Sequence, residues 1–134
     1  MQPVSASPQE ASLAARPLIL VVEDELLIRM MLCDGLRDEG YQVIEACDAD
    51  EALTVLAAAA PDLIISDVRM PGSMDGMGLL AVVRETLPTL PVIITSAHRE
   101  ATLAVADGAT QFLEKPYLVV SVIEAIEAEL ARGL

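Results

Sequence analysis

Four clusters of polar residues in this chain each follow a short aliphatic run: Glu23-Asp24-Glu25, Ser66-Asp67, Thr95-Ser96-Ala97 and Lys115-Pro116. A single acid in such a place commonly does no more than cap the next helix. The set is harder to explain that way, because acids, a hydroxyl and a lysine recur at the same position relative to four runs. Two carboxylates about 4 Å apart repel by roughly 4 kcal/mol at an effective dielectric of about 20. A cleft holding Asp24, Asp67 and Glu23 must therefore raise a pKa or recruit a positive charge. Oxygen donors without Cys or His point to Mg²⁺, which takes a few carboxylates together with waters and phosphate oxygens. Lys115 supplies a second cation able to reach an anion. Such a site suits a carboxylate nucleophile attacking phosphorus, with the metal and the lysine neutralising charge on the transferring group.

The runs that must position these residues are Leu18–Val22, Gln42–Ala46, 63–66, 92–95 and 111–113, all rich in aliphatic side chains. Between and after them lie stretches with helical spacing. The first helix is expected over 26–39, with Leu27, Met30, Met31 and Cys33 on or near one face and Gly40 as its left-handed stop. The second opens at Asp48, where Glu51 three residues on makes a capping-box pattern. A third covers 77–86. The last covers 118–132 and turns Val119, Val120, Ile123 and Ile126 toward the sheet. Strands alternating with helices, and strands this continuously apolar, predict an α/β fold: a doubly wound parallel sheet covered on both faces. Ligands of such sheets bind beyond the carboxyl ends of the strands, where the polar clusters fall.

The bulk numbers agree with one ordinary domain. Of 134 residues, 54% are hydrophobic, but there is one Phe, two Tyr and no Trp, so the core must be aliphatic. The net charge of −13 opposes a nucleic-acid surface, which needs clustered Lys and Arg, and would repel an anionic membrane. Cys33 and Cys47 have no C-x-x-C spacing and no His beside them, and are read as reduced thiols rather than a disulfide or metal pair. No apolar run approaches the length of a membrane span, and the amino terminus lacks a secretory pattern, so a cytoplasmic location is expected. Residues 1–17, MQPVSASPQEASLAARP, read as a flexible tail preceding a domain at 18–134.

The elements LILVVEDE, DLIISDVRMPGSMDG, PVIITSAH and FLEKP occur in that order. Together they resemble the response-regulator receiver domain of two-component signalling across nearly all of residues 18–132. The resemblance implies a flavodoxin-like five-stranded sheet of order 2-1-3-4-5. It further implies phosphorylation of Asp67 by a histidine kinase or a histidine phosphotransfer protein. By the same resemblance, Glu23 and Asp24 are the acidic pair that binds Mg²⁺ with Asp67, Glu23 acting largely through water. The backbone carbonyl of Arg69 would be the third protein ligand. Ser96 matches the switch hydroxyl, Thr95 being its decoy. Lys115 matches the lysine that contacts the phosphoryl group, its bond to Pro116 being cis in relatives. Phe112 sits at the switch aromatic, with ordinary core packing as the alternative.

The sequence departs from the family pattern in two places. MPGSMDG is one residue longer than the commonest form of its loop, which its glycines tolerate. The stretch between Ser96 and Gly108 is about one helical turn shorter than in the chemotaxis receiver, so the fourth helix of the family is expected to be short or disordered, and 98–107 mobile. This puts dimerisation through that face in doubt. Arg69 and His98 flank the site where relatives tune phosphoryl lifetime; solvated surface is the alternative for both.

If the chain is the whole protein, it has no output domain. The expected function is then a single-domain response regulator that signals by phosphorylation-dependent protein–protein interaction or acts as a phosphate sink. It would be no enzyme beyond self-catalysed, Mg²⁺-dependent phosphorylation and dephosphorylation. A phosphorylation-independent binding module is the alternative. An aspartyl-phosphate phosphatase is disfavoured, since Asp67 is followed by Val68-Arg69 and not by a second acid two residues on.

Overall fold

The computed structural model describes residues 16–97 and 108–132. Five strands, β1 Leu18–Val22, β2 Gln42–Ala46, β3 Leu63–Asp67, β4 Val92–Ser96 and β5 Gln111–Glu114, form one sheet of order β2-β1-β3-β4-β5. Every neighbouring pair is parallel. Four helices are found among the described residues: α1 Leu26–Asp38, α2 Ala49–Ala58, α3 Gly76–Thr86 and α4 Val119–Arg132. The expected strands are therefore found, three of them one residue longer at the carboxyl end. The expectations for residues 98–107, His98 included, and for 1–15 fall outside the described residues.

Alternate residues of each strand feed two cores. Ile19, Val21, Leu63, Ile65 and Ile93 pack against Leu32, Cys33 and Leu36 of α1 and Val122, Ala125 and Ile126 of α4. On the other face, Leu20, Val22, Ile64, Val92 and Ile94 meet Ala49 and Ala52 of α2 and Leu79, Leu80 and Val83 of α3. A strand with both faces covered has no polar alternation, which is why these runs read as continuously apolar.

Two helix faces differ from expectation. In α1 only Cys33 of the expected set is buried; Leu27 is 78% exposed, and Met30 and Met31 are about half exposed. The sequence LLIRMMLCDGLRD has apolar side chains nearly all round, so periodicity leaves its phase open, and the sheet takes Leu32, Cys33 and Leu36. In α4, Ile126 is buried and Ile123 packs against the same core, as expected, but Val122 and Ala125 join them there and Val120 is exposed.

The turns follow local rules. Asp48 caps α2 by accepting from the Glu51 N–H at 2.8 Å, while Glu51 accepts from the Cys47 N–H at 2.8 Å, so the reciprocal bond of the box lands one residue earlier than its simplest form. Asp75 caps α3 by accepting from the Gly78 N–H at 2.9 Å. Gly40 ends α1 with φ +95°.

Candidate metal and phosphoacceptor site

Because β1, β3 and β4 run in parallel and in register, their last residues stand side by side: Val22 pairs with Ser66, and Asp67 with Thr95. Glu23, Asp24, Asp67 and Ser96 thereby reach one edge of the sheet, and Lys115 joins them directly after β5. Asp24, Glu25, Asp67, Arg69, Ser96, Ala97 and Lys115 line a pocket of about 320 Å³. Ser96 lines it and Thr95 does not, although both are buried. The Lys115–Pro116 peptide bond is cis.

Carboxylate oxygens of Glu23, Asp24 and Asp67 all lie within 4.8 Å of one another. Glu23 and Asp67 are buried and Asp24 is exposed, so the cluster opens to solvent on one side. Lys115 Nζ lies 2.8 Å from Glu23 Oε1 and 3.2 Å from Asp67 Oδ2. The second oxygen of Glu23 accepts from the Glu25 N–H at 3.1 Å, so both of its oxygens are engaged within the protein. Burial raises the carboxyl groups of Glu23 and Asp67 above the ordinary range, with Lys115 opposing the rise at each. Burial alone would lower Lys115; its hydrogen bond to Glu23, with the charges of Glu23 and Asp67, outweighs that and holds the ammonium above its usual value. Three carboxylates against one ammonium leave an excess of negative charge. An all-oxygen donor set of this kind fits a hard divalent cation.

Phe112 is half-buried and packs against the core of the α2–α3 face. Arg69 is exposed on the pocket's rim. Two contributors to the site were given no part in it by the sequence, Gly76 being read only as a turn residue. Gly76 begins α3 so close to β3 that a Cβ there would fall on the Asp67 carbonyl oxygen, and its N–H donates to Val68 O at 2.8 Å. A Gly after an Asp cap was the available signal. Arg29 donates from Nη1 to the backbone carbonyl of Glu23 at 2.7 Å. Its signal was a cation in the first turn of a helix, where the dipole disfavours one.

A family model for the response regulator receiver domain matches residues 19–127. The nitrogen assimilation regulatory protein NtrX of Azorhizobium caulinodans is 40% identical over 117 residues, covering 81% of this chain and 26% of that protein. The DNA-binding transcriptional regulator NtrC of Salmonella typhimurium is 35% identical over 119 residues, covering 87% of this chain and 25% of that one. The chain thus spans about a quarter of the length of these curated relatives. The crystal structure of the receiver domain of NtrX from Brucella abortus matches with a TM-score of 0.81 at 38% identity, over 84% of this chain and 98% of that one. With strand order, acidic edge and sequence in agreement, the chain belongs to the response regulator receiver domain family.

Proposed function

We propose that the chain accepts a phosphoryl group on Asp67 from a histidine kinase or a histidine phosphotransfer protein, in a Mg²⁺-dependent reaction. The observation that carries this reading is the seat of Asp67, buried at a strand end between Lys115 and an acidic pair, in one pocket with Ser96. A carboxylate oxygen of Asp67 attacks phosphorus as the bond from phosphorus to the donor imidazole nitrogen breaks, leaving an acyl phosphate and a free imidazole. Lys115 offsets charge on the phosphoryl oxygens, and the Ser96 hydroxyl donates to one of them once transfer is complete. Glu23, Asp24, Asp67 and the Arg69 carbonyl would hold Mg²⁺, whose contribution is to neutralise the phosphoryl oxygens. Lys115, ion-paired with Glu23 and Asp67, would turn to the phosphoryl group when one arrives.

The surroundings of the pocket favour a protein donor. Leu26, Leu27, Met30 and Met31 of α1 are exposed, as are Leu118 and Val120. An apolar pocket of about 300 Å³ is lined by one of these, Met31, together with Ile28, Ala97, Lys115, Pro116 and Tyr117. Lys115 and Ala97 line both pockets, so an apolar surface seated on the second would sit beside a group transferring in the first. The output, on this reading, is a phosphorylation-dependent protein contact or the draining of phosphoryl groups from a shared kinase, in the cytoplasm. The chain is not otherwise an enzyme.

The test is incubation of the full chain with Mg²⁺ and acetyl phosphate, followed by intact mass beside Asp67→Asn. A single phosphoryl adduct that is lost in the variant and without Mg²⁺ is the expected result. The lack of any adduct under fast sampling would overturn the reading in favour of a constitutive binding module.

A further inference from the structure

The acidic turn between β1 and α1 is tied down by a residue outside the pocket. The Glu23 N–H donates to Ala46 O at 3.0 Å, and its carbonyl accepts from Arg29 Nη1 at 2.7 Å. The same guanidinium donates from Nε to Glu45 Oε1 on β2 at 3.2 Å, and the Arg29 side chain is only 16% exposed. The other oxygen of Glu45 takes Arg37 Nη1 at 3.1 Å. Arg37 also donates to the Val43 carbonyl at 3.3 Å, but its side chain is 45% exposed. Arg29 is the fourth residue of α1, so its charge sits near the positive end of the helix, where a cation is disfavoured. The arginine is kept there by two acceptors. One is fixed to the sheet; the other is the peptide carbonyl that joins Glu23 to Asp24.

We propose that Arg29, anchored by Glu45, is the positioning residue of the metal-binding turn: it sets the Glu23–Asp24 peptide, and through it the Asp24 carboxylate, for a divalent cation. Glu23 is held at both its side-chain oxygens and at its backbone, so the exposed Asp24 is the member of the cluster whose direction depends on this peptide. Losing the Arg29 bond frees the carbonyl to turn. A planar fork that meets a carboxylate and a carbonyl at once is a task for arginine, since lysine presents a single point charge.

The inference rests on the Mg²⁺-binding reading above, and the experiment separates the two. Mg²⁺ is titrated into the unphosphorylated full chain, and its dissociation constant is read from the backbone amide shifts of Glu23, Asp24 and Asp67. Removing a cation from an acidic site should tighten Mg²⁺ by charge alone; a lost positioning bond should weaken it. Arg29→Met is expected to weaken Mg²⁺ about 10-fold, the lower end for groups that orient metal ligands. Arg29→Lys keeps the charge and one of the two bonds, and should fall between the variant and the wild type. Arg37→Met, which removes the exposed partner of Glu45, should not weaken binding. Unchanged or tighter binding in Arg29→Met, or an equal weakening in Arg37→Met, would overturn the proposal. If Arg29→Met does not fold, Arg29→Lys decides: weaker binding than wild type supports the role, and equal binding refutes it. A wild-type chain that shows no saturable Mg²⁺ response would instead remove the reading on which the proposal stands.

Discussion

The Lys115 ammonium lies 2.8 Å from Glu23 Oε1, joining the end of β1 to the residue after β5 across 92 positions of sequence. The Asp67 carboxylate is 3.2 Å from the same nitrogen, so one cation serves two buried acids. Each of these side chains is less than one-sixth exposed, which keeps solvent screening small. Removing one partner of a buried pair leaves the other charge uncompensated, at a cost of about 3–5 kcal/mol. Lys115→Met should therefore unfold at a distinctly lower temperature than the wild type in EDTA. Mg²⁺ should restore more of the loss in the variant than it adds to the wild type. Thermal unfolding with and without Mg²⁺ checks this, and an equal Mg²⁺ increment in both proteins would count against a shared role for lysine and metal.

Gly72, in the loop before α3, and Gly76, which opens that helix, serve different needs. At Gly76 a Cβ would fall on the Asp67 carbonyl oxygen and lie 2.8 Å from Val68 Cα, both rigid backbone. At Gly72 there is nothing within 4 Å, and only its φ of +105° favours glycine. Overpacking costs about 1–3 kcal/mol, and a left-handed non-glycine residue roughly 1–2 kcal/mol. Both Gly76→Ala and Gly72→Ala should lower the urea midpoint. Only Gly76→Ala should also slow labelling by acetyl phosphate, because it displaces the peptide of Asp67, the proposed phosphoacceptor.

How far the sequence could be read depended on the kind of signal. The strands were legible because five short aliphatic runs separated by helical stretches admit few other assignments. The residues at their ends were legible because a parallel sheet gathers them at one edge, and Glu23, Asp24, Asp67, Ser96 and Lys115 do converge there. Of the inward face of α1, only Cys33 was legible. Leu27, Met30 and Met31 satisfy a helical period as well as Leu32, Cys33 and Leu36 do, and only docking on the sheet breaks the tie. Arg29 and Glu45 were hidden for another reason: their pairing joins a helix to a strand 16 residues on, and no local spacing marks it.

The two cysteines differ in burial, and their reactivity should follow. Cys33 is fully buried, and burial, aided by the negative charge of Glu45 and opposed by Arg37 and Arg29, pushes its thiol up to about 12. Cys47 is half-buried. A thiol reagent at pH 8 should modify Cys47 in the native chain and reach Cys33 only after denaturation. The same shift bears on stability. The folded thiol holds its proton above the ordinary value near 9, so its contribution is complete below pH 9 and declines as pH rises toward 12. Unfolding free energy should therefore fall less steeply over that window in Cys33→Ala than in the wild type. Parallel curves would show that burial does not shift this thiol.

The exposed apolar side chains of α1 supply the last prediction. Leu27 and Met31 are 78% and 50% exposed and neither belongs to the buried core, so replacing either with Asp should leave the fold intact. Neither belongs to the acidic pocket, so the rate of labelling by acetyl phosphate, which needs no protein surface, should be unchanged. Transfer from a phosphorylated histidine kinase is different if the donor rests on this surface. A well-seated apolar anchor contributes about 2 kcal/mol or more to an interface, which corresponds to a loss of about 30-fold in kcat/KM for transfer. The kinetics of loss of phosphoryl label from the kinase, with Leu27→Asp, Met31→Asp and wild-type acceptors, would measure it. Equal slowing with both donors would place the defect in the pocket, and no slowing with either would move the donor's contact to another face.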